Sequence, residues 1–371
     1  MKTDKNIKVL HIDSERTWRG GQQQAAYLLE GMHKRGYKTA LVCRPGSDFE
    51  TYCRSKDLPV FPIPMAGEID FFCGYKIAGI CRAHRFTILH LHSAHAVATG
   101  LWAKLFHRSL KLIGVRRRVG LPIRKNIFSR FKYNTPMLDR LVCISKKIYE
   151  VAKEDGIPED KLRVIYSGVD LKKFDNDFPD QHFKKELGIP ENHVVVGTVA
   201  VMEWTKDYPN LLKAAKKVLD RQTNVTFCAV GSGPDEQQVV ELREELGLGN
   251  RFILTGFRTD VGKFLKSFDI FVHASCMEGL GTSILDAQGA GLPVIGSYAG
   301  GIPEIIQSQI NGLLVPAKNS DALAESILEL VNNHTLRKEL GKKGKETVER
   351  FSITNTIENN LNLYREVIAT D

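Results

Sequence analysis

The feature that most constrains this chain is a strand–helix alternation that runs through it twice. Short β-branched runs predict strands at 7–12, 39–43, 60–63, 88–91, 111–115, 141–144 and 163–165. A second series follows at 194–199, 225–230, 252–254, 270–273, 293–295 and 312–315. Helical patterns lie between most of them. One covers 21–35, with Ala25, Leu28, Leu29 and Met32 on one face, and another covers 209–219. Such alternation implies α/β architecture, with parallel sheets built by right-handed crossovers. The rhythm breaks at 170–192, a stretch rich in turn residues. Two domains are therefore expected. One spans 1–175 together with a tail helix at 352–371, and the other spans 176–351. The tail repeats apolar residues at Ile357, Leu361, Tyr364 and Ile368 with no strand after it, so it is expected to cross back to the first domain.

Charge is unevenly placed. The chain of 371 residues carries a net charge of +9. No acidic residue occurs from Phe71 to Leu138, a window holding 13 Lys and Arg, so the remainder nets −4. An anionic partner is expected for that segment, either a membrane surface, a phosphorylated substrate or nucleic acid. A hydrophobic fraction of 43% with 26% charged residues fits a soluble globular protein. No apolar run nears the ~18 residues that span a bilayer, and the N-terminal stretch lacks the apolar core of a secretion signal. Seven cysteines without a Cys-x-x-Cys pair read as buried thiols of a reducing, cytoplasmic compartment, not as a disulfide frame or zinc site.

Four clusters can carry chemistry. The run from Ala274 to Gln288 sits between a strand and a helix starting near Thr282. Gly279 and Gly281 permit a tight turn, and the first helical turn offers free N–H groups to an anion. Glu278 and Asp286, eight residues apart, can both face the strand carboxyl ends, where open α/β sheets bind ligands. Lys206 follows the first strand of the second series and can neutralise a diphosphate. Gly20 and Gly21 open the first helix. Neither they nor Gly231-Ser-Gly233 form Gly-x-Gly-x-x-Gly, which argues against a dinucleotide dehydrogenase. His90 and His92 share one face of a strand. With no acidic residue nearby they suggest a polar role at the strand end, and no metal site is expected.

Taken in order, these motifs resemble the retaining GT-B glycosyltransferases of family 4. Glu278-Gly-Leu-Gly-Thr-Ser-Ile-Leu-Asp286 is similar to that family's E-x7-E motif. The Gly20-Gly21 pair, the His-x-His strand, Val164 to Asp170, Lys206-Asp207, Gly231 to Pro234, Thr255 to Phe257, Gly300 to Glu304 and Asn311 to Pro316 follow its order. The resemblance covers nearly the whole chain and implies two Rossmann-like domains facing a cleft, closing over a donor about the linker. It also implies roles. Glu278 would contact hydroxyls of the donor sugar, and Gly279, Leu280, Gly281 and Thr282 would offer backbone N–H groups. Asp286 would bond the ribose, Lys206 would bind the diphosphate, and Phe257 and Arg258 would lie near the base. Gly20 and Gly21 would face the diphosphate or acceptor, and His92 would sit by the reacting sugar. Two positions depart from the pattern. Asp286 stands where Glu is usual, and Val201 stands where an Arg is usual. Lipopolysaccharide-type transferases, which the Arg117-Arg-Val119 run and Ser167-Gly-Val-Asp170 resemble, carry a small or apolar residue at the latter position.

The function implied is transfer of a hexosyl group from a nucleotide-diphosphate sugar to a glycan or glycolipid, with retention and no obligatory metal or other cofactor. It belongs to lipopolysaccharide or other cell-surface polysaccharide synthesis. A GT-B sugar-nucleotide epimerase or phosphorylase and a non-catalytic sugar-nucleotide or nucleic-acid binder are the alternatives. The nucleic-acid reading is disfavoured because the interleaved aromatic and basic residues of a recognised module are missing. The densest basic stretch, with Arg116, Arg117, Arg118, Arg124 and Lys125, is expected at the cleft rim. There it would face a phosphorylated acceptor or an anionic inner leaflet.

Overall fold

A computed structural model describes residues 6–120, 127–174 and 181–369. The chain divides into two compact units. The first runs to Gly168 and includes the tail from Ile353, and the second is Val169–Ser352. In the first unit the order is β1 (Lys8–Ile12), α1 (Gly20–Lys34), β2 (Lys38–Cys43), α2 (Asp48–Ser55), β3 (Val60–Pro62) and α3 (Phe71–His84). Then come β4 (Ile88–Leu91), α4 (Ala94–Phe106), β5 (Lys111–Arg116), α5 (Ile127–Asn134), β6 (Arg140–Cys143), α6 (Lys146–Glu154) and β7 (Leu162–Val164). The second unit holds α7 (Gln181–Glu186), β8 (Val194–Val199), α8 (Tyr208–Leu219), β9 (Val225–Val230), α9 (Glu236–Glu245), β10 (Phe252–Leu254) and α10 (Val261–Ser267). It continues with β11 (Ile270–His273), α11 (Thr282–Gly289), β12 (Val294–Ser297), α12 (Ile302–Ile305), β13 (Leu313–Val315), α13 (Ser320–Asn332) and α14 (His334–Thr347). The tail helix is α15 (Ile353–Ala369). Every strand expected from the sequence is present, with its ends within two residues.

Both sheets are parallel throughout. Their orders are β3-β2-β1-β4-β5-β6-β7 and β10-β9-β8-β11-β12-β13. The strands read as continuous apolar runs because helices cover both faces. In β9, for example, every residue is buried. Each sheet reverses direction once, at β1/β4 and at β8/β11. Loops leaving the carboxyl ends there diverge onto opposite faces, and the opening between them is where such sheets take ligands.

The tail is bound into the first unit by packing and by charge. Ile357 covers Gly31 of α1 so closely that a Cβ there would lie 2.2 Å from its Cδ1. Tyr364, fully buried, bonds His90 Nδ1 through its hydroxyl. Glu366 accepts from both Arg140 and Arg163. Six of the seven cysteines are buried and Cys276 is half-buried. Burial pushes the Cys53 thiol up to about 12, so it stays protonated at neutral pH.

Candidate active site

The second unit's switch point brings together Lys206 and Glu278, which are 72 residues apart. Lys206 closes a short turn after β8. Glu278 lies in the loop between β11 and α11. The two loops are stitched by backbone bonds, with Cys276 N–H donating to Thr205 O at 2.9 Å. Lys206 Nζ then donates to Glu278 Oε2. His273, the last residue of β11, places Nε2 2.9 Å from the same oxygen. Gly279 N–H donates to Glu278 Oε1 at 3.1 Å. Burial opposes ionisation of Glu278, but the Lys206 ammonium and the His273 bond outweigh it and hold the carboxyl well below its usual range. Burial pushes the His273 imidazole down, so it is neutral at pH 7. The network assigns its tautomer: Nε2–H faces Glu278, and Nδ1 accepts from Ser283 Oγ at 3.3 Å. The sequence marked Lys206 and Glu278 but gave His273 no role. A polar side chain ending an otherwise apolar strand was the available signal.

Two glycines shape the loop. Gly281 caps α11 with φ 99° and no side-chain bond, so the Thr282 and Ser283 N–H groups have no side-chain cap, while Ile284 N–H donates to Gly281 O at 3.0 Å. Gly300, at φ 53°, lies under the Glu278 carbonyl, and a Cβ there would sit 1.7 Å from that oxygen. Gly301 N–H donates to the same carbonyl at 3.2 Å. The Gly300-Gly301 motif therefore works through Glu278. Gly300→Ala should displace the loop, lowering the melting temperature by several degrees and weakening nucleotide-sugar binding together. Unchanged values of both in thermal melts with and without donor would refute this.

The other expected donor-side residues are dispersed around this centre. Gly279 and Leu280 are buried. Thr282 starts α11, and Asp286 lies one turn further on, half-buried. Burial pushes the Asp286 carboxyl up to about 6, with Lys173 opposing and Asp170 adding to the rise. Phe257 is exposed. Arg258 is engaged by Asp260 through two bonds, Nε–Oδ1 at 2.9 Å and NH2–Oδ2 at 2.8 Å.

In the first unit, β1 and β4 present a buried polar cluster at their carboxyl ends. The His11, His90 and His92 rings stack, with His90 and His92 centroids 4.4 Å apart. His92 uses both ring nitrogens, Nε2 with His11 Nδ1 at 2.9 Å and Nδ1 with Arg117 NH2 at 3.3 Å. Burial keeps His92 well below the usual imidazole range, so it is neutral. Asp13 accepts from Gln22 of α1, and Arg117 lies against Gly21, 3.3 Å from the position of an added Cβ. Gly20 begins the same helix. The three imidazoles are the one group of metal-ligand type among the described residues. A cation there would have to break the His11–His92 bond beside a guanidinium.

The basic rim needs correction. Arg116 is not a surface residue. It ends β5 with its side chain inward and pairs with Asp155 at 2.9 Å, the two side chains 8% and 3% exposed. Arg117 is half-buried against His92, and burial lowers its guanidinium to about 10. Arg118 is exposed. Arg124 and Lys125 lie outside the described residues.

Known proteins bear on this geometry. Residues 179–347 match the family model "Glycosyl transferases group 1", and 18–173 match "Glycosyltransferase Family 4". The lipopolysaccharide core biosynthesis glycosyltransferase LpsD of Rhizobium meliloti is 32% identical over 93% of this chain and 94% of its own. A UDP-Gal:α-D-GlcNAc-diphosphoundecaprenol α-1,3-galactosyltransferase of Escherichia coli is 23% identical over 99% of both. The crystal structure of Anabaena HepE with UDP-glucose superposes with a TM-score of 0.87, at 20% identity, over 98% of this chain and all of that one.

Proposed function

The chain belongs to the GT-B glycosyltransferases of family 4, and on that premise we propose that it moves a hexosyl group from a nucleotide-diphosphate sugar to a lipid-linked glycan, with retention. The observation that carries this is the Lys206–Glu278 pair beside the first turn of α11. Departure of a nucleoside diphosphate builds negative charge on phosphate and oxocarbenium character on the sugar. A fixed ammonium and oriented N–H groups stabilise the first, and the ionised Glu278 accepts from sugar hydroxyls. Lys206 and the helix terminus supply positive charge at the phosphates, so the proposed step is metal-independent. The relatives named above support a UDP-hexose donor and an acceptor in lipopolysaccharide or other cell-surface glycan synthesis, and the proposal places that acceptor at the cytoplasmic face of a membrane. Among the described residues no helix is long and apolar enough to cross one.

Nucleotide release should be measured across a panel of nucleotide sugars, with NMR reading the anomeric configuration of the product. Release with none of them overturns the proposal, and an inverted product overturns retention. Donor affinity should also depend on pH. Asp286 accepts ribose hydroxyls in its ionised form, and its pKa is about 6. Binding is then lost as pH falls through that value, by about tenfold between pH 7 and pH 5. Asp286→Asn should flatten the profile, and calorimetry at both pH values checks it.

A further inference from the structure

Among the described residues, seven of the eleven exposed large apolar side chains fall between 69 and 131, about a sixth of the chain. They are gathered on one region of the first unit. Helix α3 buries Cys73, Gly74, Ile77, Ala78 and Cys81, and turns Phe72, Tyr75 and Lys76 to solvent. Aromatic rings thus stand on the face that a surface helix usually gives to polar side chains. A Cβ on Gly74 would lie 2.4 Å from Trp102 Cβ, so α3 rides directly on α4. The end of α4 adds Phe106, whose ring meets Tyr75 edge-on at 5.4 Å. Glu68 joins the third element. Its carbonyl accepts from Trp102 of α4 and its carboxylate from Lys132 of α5. Beside it stand Ile69, 83% exposed, and Phe131 of α5, 71% exposed.

The exposed charges around these side chains are mainly cationic. Lys76, Arg82, Arg85, Arg108 and Arg130 are exposed, and no acidic residue lies between 71 and 138. The acids flanking the segment are engaged by protein partners, although the Glu68 side chain stays 40% exposed. Asp70 accepts from Cys73 N–H and Ala66 N–H, Glu68 pairs with Lys132, and Asp139 pairs with Lys104. Four further basic residues of the window, Arg116, Arg117, Lys104 and Lys132, are at least half-buried. Among the described residues, five of the window's six exposed cations thus lie on or next to α3–α5, and the sixth, Arg118, follows β5.

We propose that this face docks on the headgroup plane of an anionic bilayer, with Phe72, Tyr75, Phe106 and Phe131 entering the interface and the lysine and arginines meeting lipid phosphates. Apolar side chains among exposed cations, with the neighbouring Glu68 and Asp70 carboxylates held by protein donors, match that interface. Aromatic side chains suit the boundary because one end is apolar and the other tolerates water. The proposal deepens the reading of a lipid-linked acceptor and rests on it for the identity of the surface.

The test is flotation of the whole chain with vesicles, without donor or acceptor. One set is phosphatidylglycerol with phosphatidylethanolamine, and the other is phosphatidylcholine alone. The expected result is at least fivefold greater recovery with the anionic set, reduced by raised salt. Phe72→Ser with Phe131→Ser, and separately Lys76→Glu with Arg130→Glu, should each lower that recovery at least fivefold while thermal melts stay unchanged. Equal recovery with both sets, or variants that melt normally and float like the parent chain, overturns the proposal. So does a chain that self-associates in solution and becomes monomeric in the serine variant with flotation unaltered. Turnover on a water-soluble acceptor fragment is measured separately. Its absence speaks against sugar transfer and leaves the flotation result standing.

Discussion

Replacing Lys206 with alanine is expected to lower kcat by two to three orders of magnitude with donor and acceptor saturating. Removing one preorganised group that meets developing charge costs about 10²–10³ in kcat. Two features place Lys206 in that range. Its side chain is 17% exposed and that of Glu278 is 14% exposed, so solvent screens the pair weakly. Its ammonium also offsets the burial of Glu278. Without it Glu278 keeps His273, the Ser275 hydroxyl and the Gly279 N–H, and its pKa rises. The variant should therefore lose activity most steeply on the acid side. The effect should fall on kcat more than on donor KM, because diphosphate charge grows during the reaction. Steady-state rates on the matched donor decide it. A kcat within threefold of the parent chain would remove Lys206 from the reaction.

Arg116→Ala should cost about 3–5 kcal/mol of folding stability, the penalty for leaving a buried partner charge uncompensated. Asp155, which would lose that guanidinium, is 3% exposed at the end of α6. Domains of ordinary stability hold only about 5–15 kcal/mol, so a large drop in the urea midpoint is expected. Arg118→Ala, two residues on and exposed, should change the midpoint by no more than about 0.5 kcal/mol. Replacing Arg116 and Asp155 together with apolar residues of similar volume should recover most of the loss, since the pair must overcome its own desolvation. Equal midpoints for Arg116→Ala and Arg118→Ala would refute the assignment.

The three consecutive arginines show why part of the site was illegible in sequence. Arg116 goes to the core, Arg117 to the histidine cluster and Arg118 to solvent. Their composition is identical and suggested one cationic rim. Which way each side chain points depends on where β5 ends, and which acid meets it depends on α6, some 39 residues later. His273 was opaque for the same reason. Its role exists only because the loop after β11 folds back over the strand end. The basic window likewise suggested a phosphate-rich partner, but its aromatic half became visible only once α3 was seen to turn phenylalanines outward.

Local sequence was enough to mark the thirteen strands of the described residues, their grouping into two parallel series, the helical tail and the turn that carries Glu278. These are local matters. Strand and helix periods are written in runs of a few residues, and glycines mark the tight turns. Tertiary structure decided which charges are spent internally and which reach the surface. It also decided that Lys206 meets Glu278, that Gly300 lies beneath that loop, and that Tyr364 anchors the tail on His90. Each of those pairings joins residues far apart in the chain, and the free energy of burying a charge or a ring is set by the neighbour that folding supplies.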